Sequence, residues 1–314
     1  MKLSMLARQC GIPLVGDDQC DVTGICYGEN AVDGDIAVCF SEDVVRRTKA
    51  NTVLTFPRII PVQKNFLFCR EDRLWEDAVC IARCLIRNGL YPDYDEPVPY
   101  TTVDGGIMVG KNSRWDSSTQ IGPFTMIGND VTIGKNCIID PQVYIGSGTR
   151  IGDNCRIHSG SRVGANAFFH YDSKDGADTF SGIGNLMIQD NVSIGYNTVI
   201  QRGLFGSSII SNGCQLGNLI VIAHDVLMDH DTHITCQTGV ASQVVIGSNV
   251  KIMGQVGIGD NIYIGDRAQI LGKSRLTKDV LMGTRVSGMF GRENKRELEL
   301  QAKIRRIVKQ KRKE

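Results

Sequence analysis

The stretch VVIGSNVKIMGQVGIGDNIYIGDRAQI (244–270) decides the fold, because an isoleucine returns at every sixth position along it. An α-helix repeats every 3.6 residues and an alternating strand every two, so neither keeps this spacing. Hexads of this kind are typical of a parallel β-helix, in which each hexad is one short strand and the coils stack into a prism. The sequence therefore predicts a mainly β protein.

The six-residue grid extends well beyond this stretch. It runs from Val109 to Val163, resumes at Ile188, and is regular from Ile210 to Leu276. Three hexads make one triangular coil, so the pattern predicts roughly eight to ten coils within residues 101–288. Two interruptions stand out: a loop at about residues 165–182, and QRGLFGSS (201–208), which shifts the phase by four residues. Insertions in a solenoid are where function is usually added.

The flanking segments do not follow the grid. Residues 1–100 indicate a small α/β domain, with helices predicted at 1–10 and 74–88, strands at 21–24 and 51–56, and a linker YPDYDEPVPY at 91–100. Residues 289–314 are predicted to form a basic C-terminal helix, with ten Lys/Arg against four Asp/Glu. By default such a helix is a solvated charged surface, and the alternative is docking of an acidic acyl carrier protein.

Composition sets limits on location and partners. The net charge of +1 gives no sign of nucleic-acid binding. Eleven cysteines lie scattered without a CxxC pair, which is typical of reduced, buried thiols. No apolar run is long enough for a signal peptide or a membrane span. We expect a soluble, cytoplasmic protein, and the flat sides of a prism favour a homo-oligomer.

Residues 182–289 resemble the UDP-3-O-acylglucosamine N-acyltransferases of lipid A biosynthesis, a family of hexapeptide-repeat enzymes with a left-handed β-helix. The similarity lies in VSIGYNTVIQRG (192–203), CQLGNLIVIAHDV (214–226), TGVASQVVIGSNVKIMGQVGIGDNIYIGD (238–266) and TKDVLMGTRVSG (277–288). It extends more weakly to 163–169, 13–24 and 31–38. The resemblance implies a homotrimer, a nucleotide-sugar contact in residues 1–100, and no tightly bound cofactor.

The same resemblance implies the roles of three catalytic residues. His224, in the IAHDV segment, matches the family's general base, and an imidazole is suited to take the proton of an attacking amine. Asn218 matches an Asn six residues earlier that helps position the amine or the base. The backbone amide of Ser242 matches the group that stabilises the oxyanion, although relatives usually carry Gly there.

Two positions depart from the family's pattern. Asn261 stands where a second His is found, and it donates a hydrogen bond without carrying a proton. The aromatic clamp that the family places around uracil is reduced to Phe40. We assign both residues to substrate binding, and both departures keep open a nucleotide other than UDP.

Three further substrate-binding candidates lie at the breaks in the grid. Gln201 and Arg202 sit at the phase shift, where Arg202 either stabilises a turn or contacts phosphate or pantetheine. Phe168 lies on the predicted loop, where it either covers an acyl chain or packs the loop against the next subunit. His230 and His233 suggest a metal site, but no carboxylate or Cys cluster completes one, so we predict surface histidines and no metal.

These observations lead to an N-acyltransferase that moves an acyl group from an acyl carrier protein or coenzyme A thioester to the amine of a nucleotide-linked amino sugar. Three alternatives stay open. One is a coenzyme A-dependent acyltransferase acting on a different amino sugar in glycan assembly. The others are a non-catalytic β-helix scaffold and, least favoured, a metal-dependent hydratase.

Overall fold

A computed structural model describes residues 1–57, 59, 64–70, 73–288, 296 and 299–305 of the 314-residue chain. The described residues of the predicted C-terminal helix, 296 and 299–305, are helical and exposed. The rest of that predicted helix lies outside the described residues. No helix in the described ranges is long and apolar enough to cross a membrane. All eleven cysteines are free thiols; seven are buried, as predicted, and Cys20, Cys26, Cys80 and Cys236 are half-buried.

Residues 1–100 are here called the N-terminal module, and their described part contains three helices and a five-stranded sheet. The helices are α1 (Leu3–Cys10), α2 (Glu42–Arg47) and α3 (Leu74–Arg87). The strands are β1 (Leu14–Val15), β2 (Gly24–Tyr27), β3 (Asp35–Val38), β4 (Thr52–Thr55) and β5 (Asn65–Phe68), in the order β1-β5-β4-β3-β2 and parallel except for β1. Helix α3 forms where predicted because its apolar residues recur at helical spacing and are buried. The strand predicted at 21–24 is wrong, since β2 begins at Gly24.

The grid forms a three-sided parallel β-helix, which confirms the predicted fold class. Its first sheet holds β7 (Ile107–Val109), β10 (Met126–Ile127), β13 (Tyr144–Ile145), β16 (Arg162–Ala165), β21 (Val199–Gln201), β24 (Val221–Ile222), β27 (Gly239–Val240), β30 (Gly257–Ile258) and β33 (Arg275–Leu276). The short strand β6 (Thr101–Val103) pairs antiparallel with β7 and ends this sheet, and a 3₁₀ turn (Asp104–Gly106) joins the two.

The other two sheets stack in the same way. The second holds β8 (Arg114–Trp115), β11 (Thr132–Ile133), β14 (Arg150–Ile151), β19 (Asn185–Ile188), β22 (Ser207–Ile210), β25 (Leu227–Met228), β28 (Val245–Ile246) and β31 (Tyr263–Ile264). The third holds β9 (Gln120–Ile121), β12 (Ile138–Ile139), β15 (Arg156–Ile157), β20 (Ser193–Ile194), β23 (Gln215–Leu216), β26 (His233–Ile234), β29 (Lys251–Ile252), β32 (Gln269–Ile270) and β34 (Arg285–Val286). Nine parallel strands on the first and third sheets make about nine coils, within the predicted range.

The isoleucine of each hexad points into the prism. Ile246, Ile252 and Ile258 are all buried, and with their equivalents they form one continuous apolar core. Between strands the chain turns a corner in which one residue adopts a left-handed conformation, for example Asn249 at φ 58° and Asn261 at φ 57°. Asn and Asp tolerate this region better than other non-glycine residues, which explains their recurrence at the corners.

Both interruptions of the grid leave the prism at the corner between the first and second sheets, here called the first corner. Ile151 pairs with Ile188, 37 residues later, and Ile200 pairs with Ile222, 22 residues later, instead of the regular 18. The longer insertion contains an antiparallel hairpin, β17 (Phe169–Ser173) with β18 (Gly176–Phe180). The hairpin and the phase-shift segment pack with α1 and α3 in one apolar cluster, which joins the N-terminal module to the prism.

Candidate active site

His224 lies on the first corner, one coil beyond the phase-shift segment, and forms a close pair with the residue that follows it. Its Nδ1 is 2.8 Å from Oδ2 of Asp225, and both side chains are buried. A carboxylate that accepts from Nδ1–H leaves Nε2 free to accept a proton. The position is therefore not that of an ordinary outward-facing residue, and the pair has the arrangement of an oriented general base.

The phase-shift segment holds Asp225 in place. Oδ2 of Asp225 accepts from the Leu204 amide at 2.9 Å, and Oδ1 accepts from the Gly206 amide at 3.3 Å. The Asp225 amide in turn donates to Oγ of Ser208 at 2.9 Å. Because two contacts fix this carboxylate and a third fixes its backbone, the imidazole beside it has a defined orientation. Sequence reasoning did not single out Asp225, although the motif IAHDV contains it.

The hairpin covers the imidazole. The ring of Phe169 on β17 meets His224 edge-on at 6.0 Å between centroids, and Trp75 of α3 packs on Phe169 at 5.0 Å. An aromatic lid over the base limits its contact with water. The N-terminal module and the first insertion therefore both support the same imidazole.

Two cavities lie on either side of His224. One is an apolar groove of about 700 Å³ along the first sheet, lined by Ala223 and Ser242. The other is a cavity of about 430 Å³ between the second sheet and the N-terminal module, lined by Asp225 and Gln243. Residues 223 and 225 are the direct neighbours of His224, so the chain passes from one lining to the other at the base, which is itself buried and lines neither cavity. We call them the groove and the inter-module cavity.

The floor of the groove is smooth because two strands carry glycine on its surface. A Cβ placed on Gly239 or Gly257 would meet nothing within 4 Å, so neither glycine is required by crowding. Their absent side chains instead leave room above the sheet for a ligand. Phe168, 75% exposed, and Gln201 also line this groove.

Gln201 and Arg202, adjacent in sequence, occupy different environments. Oε1 of Gln201 is buried without a hydrogen-bond partner among the described residues, in a residue that lines the groove. Arg202 is buried, donates from Nη2 to the Gly164 carbonyl at 3.0 Å, and lies 3.6 Å over the ring of Tyr94. Burial lowers the pKa of Arg202 from its ordinary value. Nε and Nη1 of Arg202 are, like Oε1 of Gln201, buried without a hydrogen-bond partner among the described residues, so a ligand contact stays a prediction for both residues.

The backbone amide of Ser242, predicted to be an oxyanion donor, has a hydrogen-bond partner within the chain. It already donates to Oδ1 of Asp260, at 3.0 Å. The same bond recurs at other corners, where an Asx side chain one coil ahead accepts from a backbone amide, as Asp266 does from Ser248. The amide is therefore engaged in the stacking of coils, while the residue itself lines the groove, and its oxyanion role stays a prediction.

The structure also separates Asn218 from His224. Asn218 lies on the corner between the third and first sheets, at the opposite end of β24 from His224, and its Oδ1 accepts from the Tyr196 amide at 2.9 Å. This is another hydrogen bond in which an Asn or Asp side chain at a corner accepts from a backbone amide of the neighbouring coil. Within one chain Asn218 does not contact the base, and its role in positioning the amine or the base stays a prediction.

The two positions that depart from the family's pattern both line the inter-module cavity. Asn261 occupies the corner two coils beyond Asp225, and Phe40, 44% exposed, packs against Trp75 at 5.0 Å between centroids. His230 is exposed and pairs with Asp231 at 3.0 Å. No group of three or more His, Cys, Asp or Glu side chains in the described ranges is arranged to hold a metal ion.

The prism of stacked six-residue repeats is similar to the hexapeptide-repeat proteins. The sequence matches the family model "Bacterial transferase hexapeptide (six repeats)" at residues 116–146 and 130–165. Among solved structures, the UDP-N-acetylglucosamine O-acyltransferase of Moraxella catarrhalis is similar with a TM-score of 0.55 and 29% identity, over 60% of this chain and 72% of that chain.

The similarity to UDP-3-O-acylglucosamine N-acyltransferases is confirmed by curated relatives of that name. The protein from Sulfurimonas denitrificans is 29% identical over 128 residues, which is 40% of each chain. The protein from Christiangramia forsetii is 49% identical over 59 residues, which is 19% of this chain and 17% of that protein. The chain thus spans at most about two fifths of the length of either relative.

Proposed function

We propose that this protein is an N-acyltransferase that uses His224 as its general base to move an acyl group from a thioester to an amine. The observation that carries the proposal is the His224–Asp225 pair, whose position in the chain separates residues that line the groove from residues that line the inter-module cavity. An acyl transfer needs two substrates to meet beside one base, and two spaces on either side of an imidazole meet that requirement.

The reaction follows from the chemistry of the groups. The neutral amine attacks the thioester carbonyl, and Nε2 of His224 takes the proton that the nitrogen loses as the C–N bond forms. When the tetrahedral adduct collapses, the C–S bond breaks and the imidazolium returns the proton to the leaving thiolate. Asp225 holds the ring orientation and stabilises the imidazolium throughout. Since the Ser242 amide is engaged with Asp260, an oxyanion contact from this residue would come from its hydroxyl.

We assign the thioester donor, carried by acyl carrier protein or coenzyme A, to the groove. The glycine-floored surface beside Phe168 suits an apolar chain, and the unpartnered Oε1 of Gln201 suits an amide N–H of a pantetheine arm. The acceptor is assigned to the inter-module cavity. The names of the relatives support a nucleotide-linked amino sugar as that acceptor, and assembly as a homotrimer in the cytoplasm belongs to the same proposal.

Thiol release tests the proposal. Wild-type protein is incubated with acyl thioesters on both carriers and with a set of amino sugars, and free thiol is measured. His224→Ala is expected to reduce turnover about 100-fold or more, because general-base catalysis typically contributes 10²–10⁴-fold. His230→Ala is the matched control, since it removes an exposed corner histidine that also pairs with the following Asp. Undiminished turnover in His224→Ala removes this residue from the mechanism, and no turnover by wild type with any donor favours the scaffold alternative.

A further inference from the structure

Three of the eleven thiols meet where the end of α1 packs on α3. Cys10 is the last residue of α1, and Cys80 and Cys84 lie about one helical turn apart on α3. Sγ of Cys84 donates to Oε1 of Gln9 at 2.8 Å, which holds the end of α1 against this turn of α3. Cys10 and Cys84 are buried, and Cys80 is half-buried. Cys84 therefore has a polar partner, whereas Cys80 is the thiol that a reagent in solution can reach.

The thiols of Cys10 and Cys80 contact each other and differ in reactivity. Cys10 donates a hydrogen bond to the Cys80 sulfur, and this bond, together with burial, raises the pKa of Cys10. The same hydrogen bond and the positive charges of Arg70 and Arg87 lower the pKa of Cys80 to about 7, in spite of burial. A thiolate is the reactive form of cysteine, so Cys80 is the nucleophile of the pair. Cys10 is the second thiol within its reach.

Two such thiols can undergo exchange with a small disulfide, for example oxidised glutathione. The Cys80 thiolate attacks one glutathione sulfur, the glutathione S–S bond breaks, and a mixed disulfide forms as one glutathione thiolate leaves. Cys10 then loses its proton and attacks the Cys80 sulfur, which forms the bond between the two cysteines and releases the second glutathione thiolate. Two protein thiols are oxidised, one glutathione disulfide is reduced, and the two protons that the cysteines lose end on the two glutathione thiols.

From the contact of these thiols we propose that Cys10 and Cys80 form a redox modification site, which a small disulfide converts to an intramolecular disulfide. The new bond joins α1 to α3, the helix from which Trp75 packs on Phe169 over His224. Oxidation thereby acts on the element that supports the aromatic cover of the proposed base. The proposal goes beyond acyl transfer, and its test does not require turnover.

Disulfide mapping on the full chain tests the proposal. Reduced protein is incubated with oxidised glutathione at pH 7, the remaining thiols are blocked with iodoacetamide, and peptides are identified by mass spectrometry before and after reduction. A pair of peptides joined through Cys10 and Cys80 is expected as the main cross-link. Cys80→Ser is expected to abolish it. Cys10→Ser is expected to stop at the mixed disulfide between Cys80 and glutathione, because the second thiol is missing.

Cys20→Ser is the matched control. Cys20 is another half-buried thiol of the N-terminal module, but its sulfur contacts Thr52 and Asn65, at 3.8 and 3.4 Å. The cross-link is expected to form in this variant as it does in wild type. Limiting iodoacetamide on reduced wild type gives a second measurement that needs no variant, and it should label Cys80 before Cys10 and Cys84.

Three results would overturn the proposal. They are the absence of a Cys10–Cys80 cross-link in wild type, oxidation of Cys80→Ser to the same extent as wild type, and labelling of Cys10 or Cys84 before Cys80. A cross-link between Cys10 and Cys84 alone would also overturn it, because the nucleophile would then be a different thiol. Thiol release from acyl thioesters bears only on the proposed function, so failure of one proposal leaves the other standing.

Discussion

At the scale of single residues, the Asp225 carboxylate has two functions. It orients His224 through Oδ2, and it accepts amides of the phase-shift segment through both oxygens. It also occupies the left-handed corner position, at φ 58°, which Asp and Asn adopt with little strain. A sequence motif identified the histidine, but the contacts to residues 204 and 206 depend on how the four extra residues fold back, which the repeat does not encode.

Asp225→Asn tests the orientation of the His224 ring without changing the backbone at residue 225, because Asn also suits a left-handed corner. The amide retains one acceptor and cannot stabilise an imidazolium as a carboxylate does, so turnover is expected to fall about 100-fold or more. Thiol release over a range of pH is the measurement. Asp231→Asn is the matched control, since Asp231 lies at φ 55° beside an exposed histidine. Equal activity of Asp225→Asn and wild type would show that the pair has no catalytic role.

At the scale of elements, the hairpin β17–β18 shows where prediction from the repeat stops. The grid located an insertion at about residues 165–182, and the structure fills it with two paired strands at 169–173 and 176–180. Their docking could not be predicted, because it depends on contacts with a distant helix: Arg83 of α3 donates to Asp178 at 3.0 Å, and the Tyr171 hydroxyl donates to the same carboxylate at 2.7 Å. These contacts place Phe169 over His224.

The Asp178 contacts give the hairpin a dependence on pH. Hydrogen bonds from Tyr171 and Arg83 lower the pKa of Asp178 to about 2, so the carboxylate stabilises the docked hairpin above the ordinary carboxyl pKa of about 4, and this contribution is lost as pH falls towards 2. Asp178→Asn is expected to speed hydrogen exchange of the hairpin amides at pH 7 by less than about tenfold, since exposed ion pairs contribute little. The exchange rates of wild type and Asp178→Asn should converge in acid.

The control for this change is Asp175→Asn, at the exposed tip of the same hairpin. Its side chain makes none of the contacts with α3, so exchange of the hairpin amides should stay as in wild type. Equal protection of the hairpin in Asp178→Asn and wild type at every pH would mean that packing alone docks it.

At the scale of the whole molecule, the period predicted the prism and its interruptions, because a buried Ile at every sixth position admits few other architectures. It did not show that the hairpin, the phase-shift segment and the N-terminal module all meet His224 at one corner. To predict that convergence, each break would have to be assigned to a corner. The apolar cluster that joins α3 to residues 171 and 205 is formed by residues off the grid. The corner roles of Asn218 and Asp260 were hidden because they depend on hydrogen bonds between successive coils, which the period of the apolar residues does not reveal.

Truncating a buried grid residue should destabilise the prism more than truncating its exposed neighbour. Ile252→Ala, at a buried grid position, is expected to lower the free energy of unfolding by about 2–5 kcal/mol. Lys251→Ala, on the exposed side of the same two-residue strand, is expected to change it by less than about 0.5 kcal/mol. Urea unfolding followed by circular dichroism compares the two. Similar losses would contradict the assignment of grid residues to the interior.

The strand β6 has a consequence for association between molecules. A stack of parallel coils ends in unpaired backbone groups, and an open edge of this kind can template the addition of another chain. Because β6 runs antiparallel to β7, it covers the first coil's edge with a strand that breaks the repeating register. Three residues, Thr101–Val103, thereby protect one side of that end of the solenoid against end-to-end polymerisation.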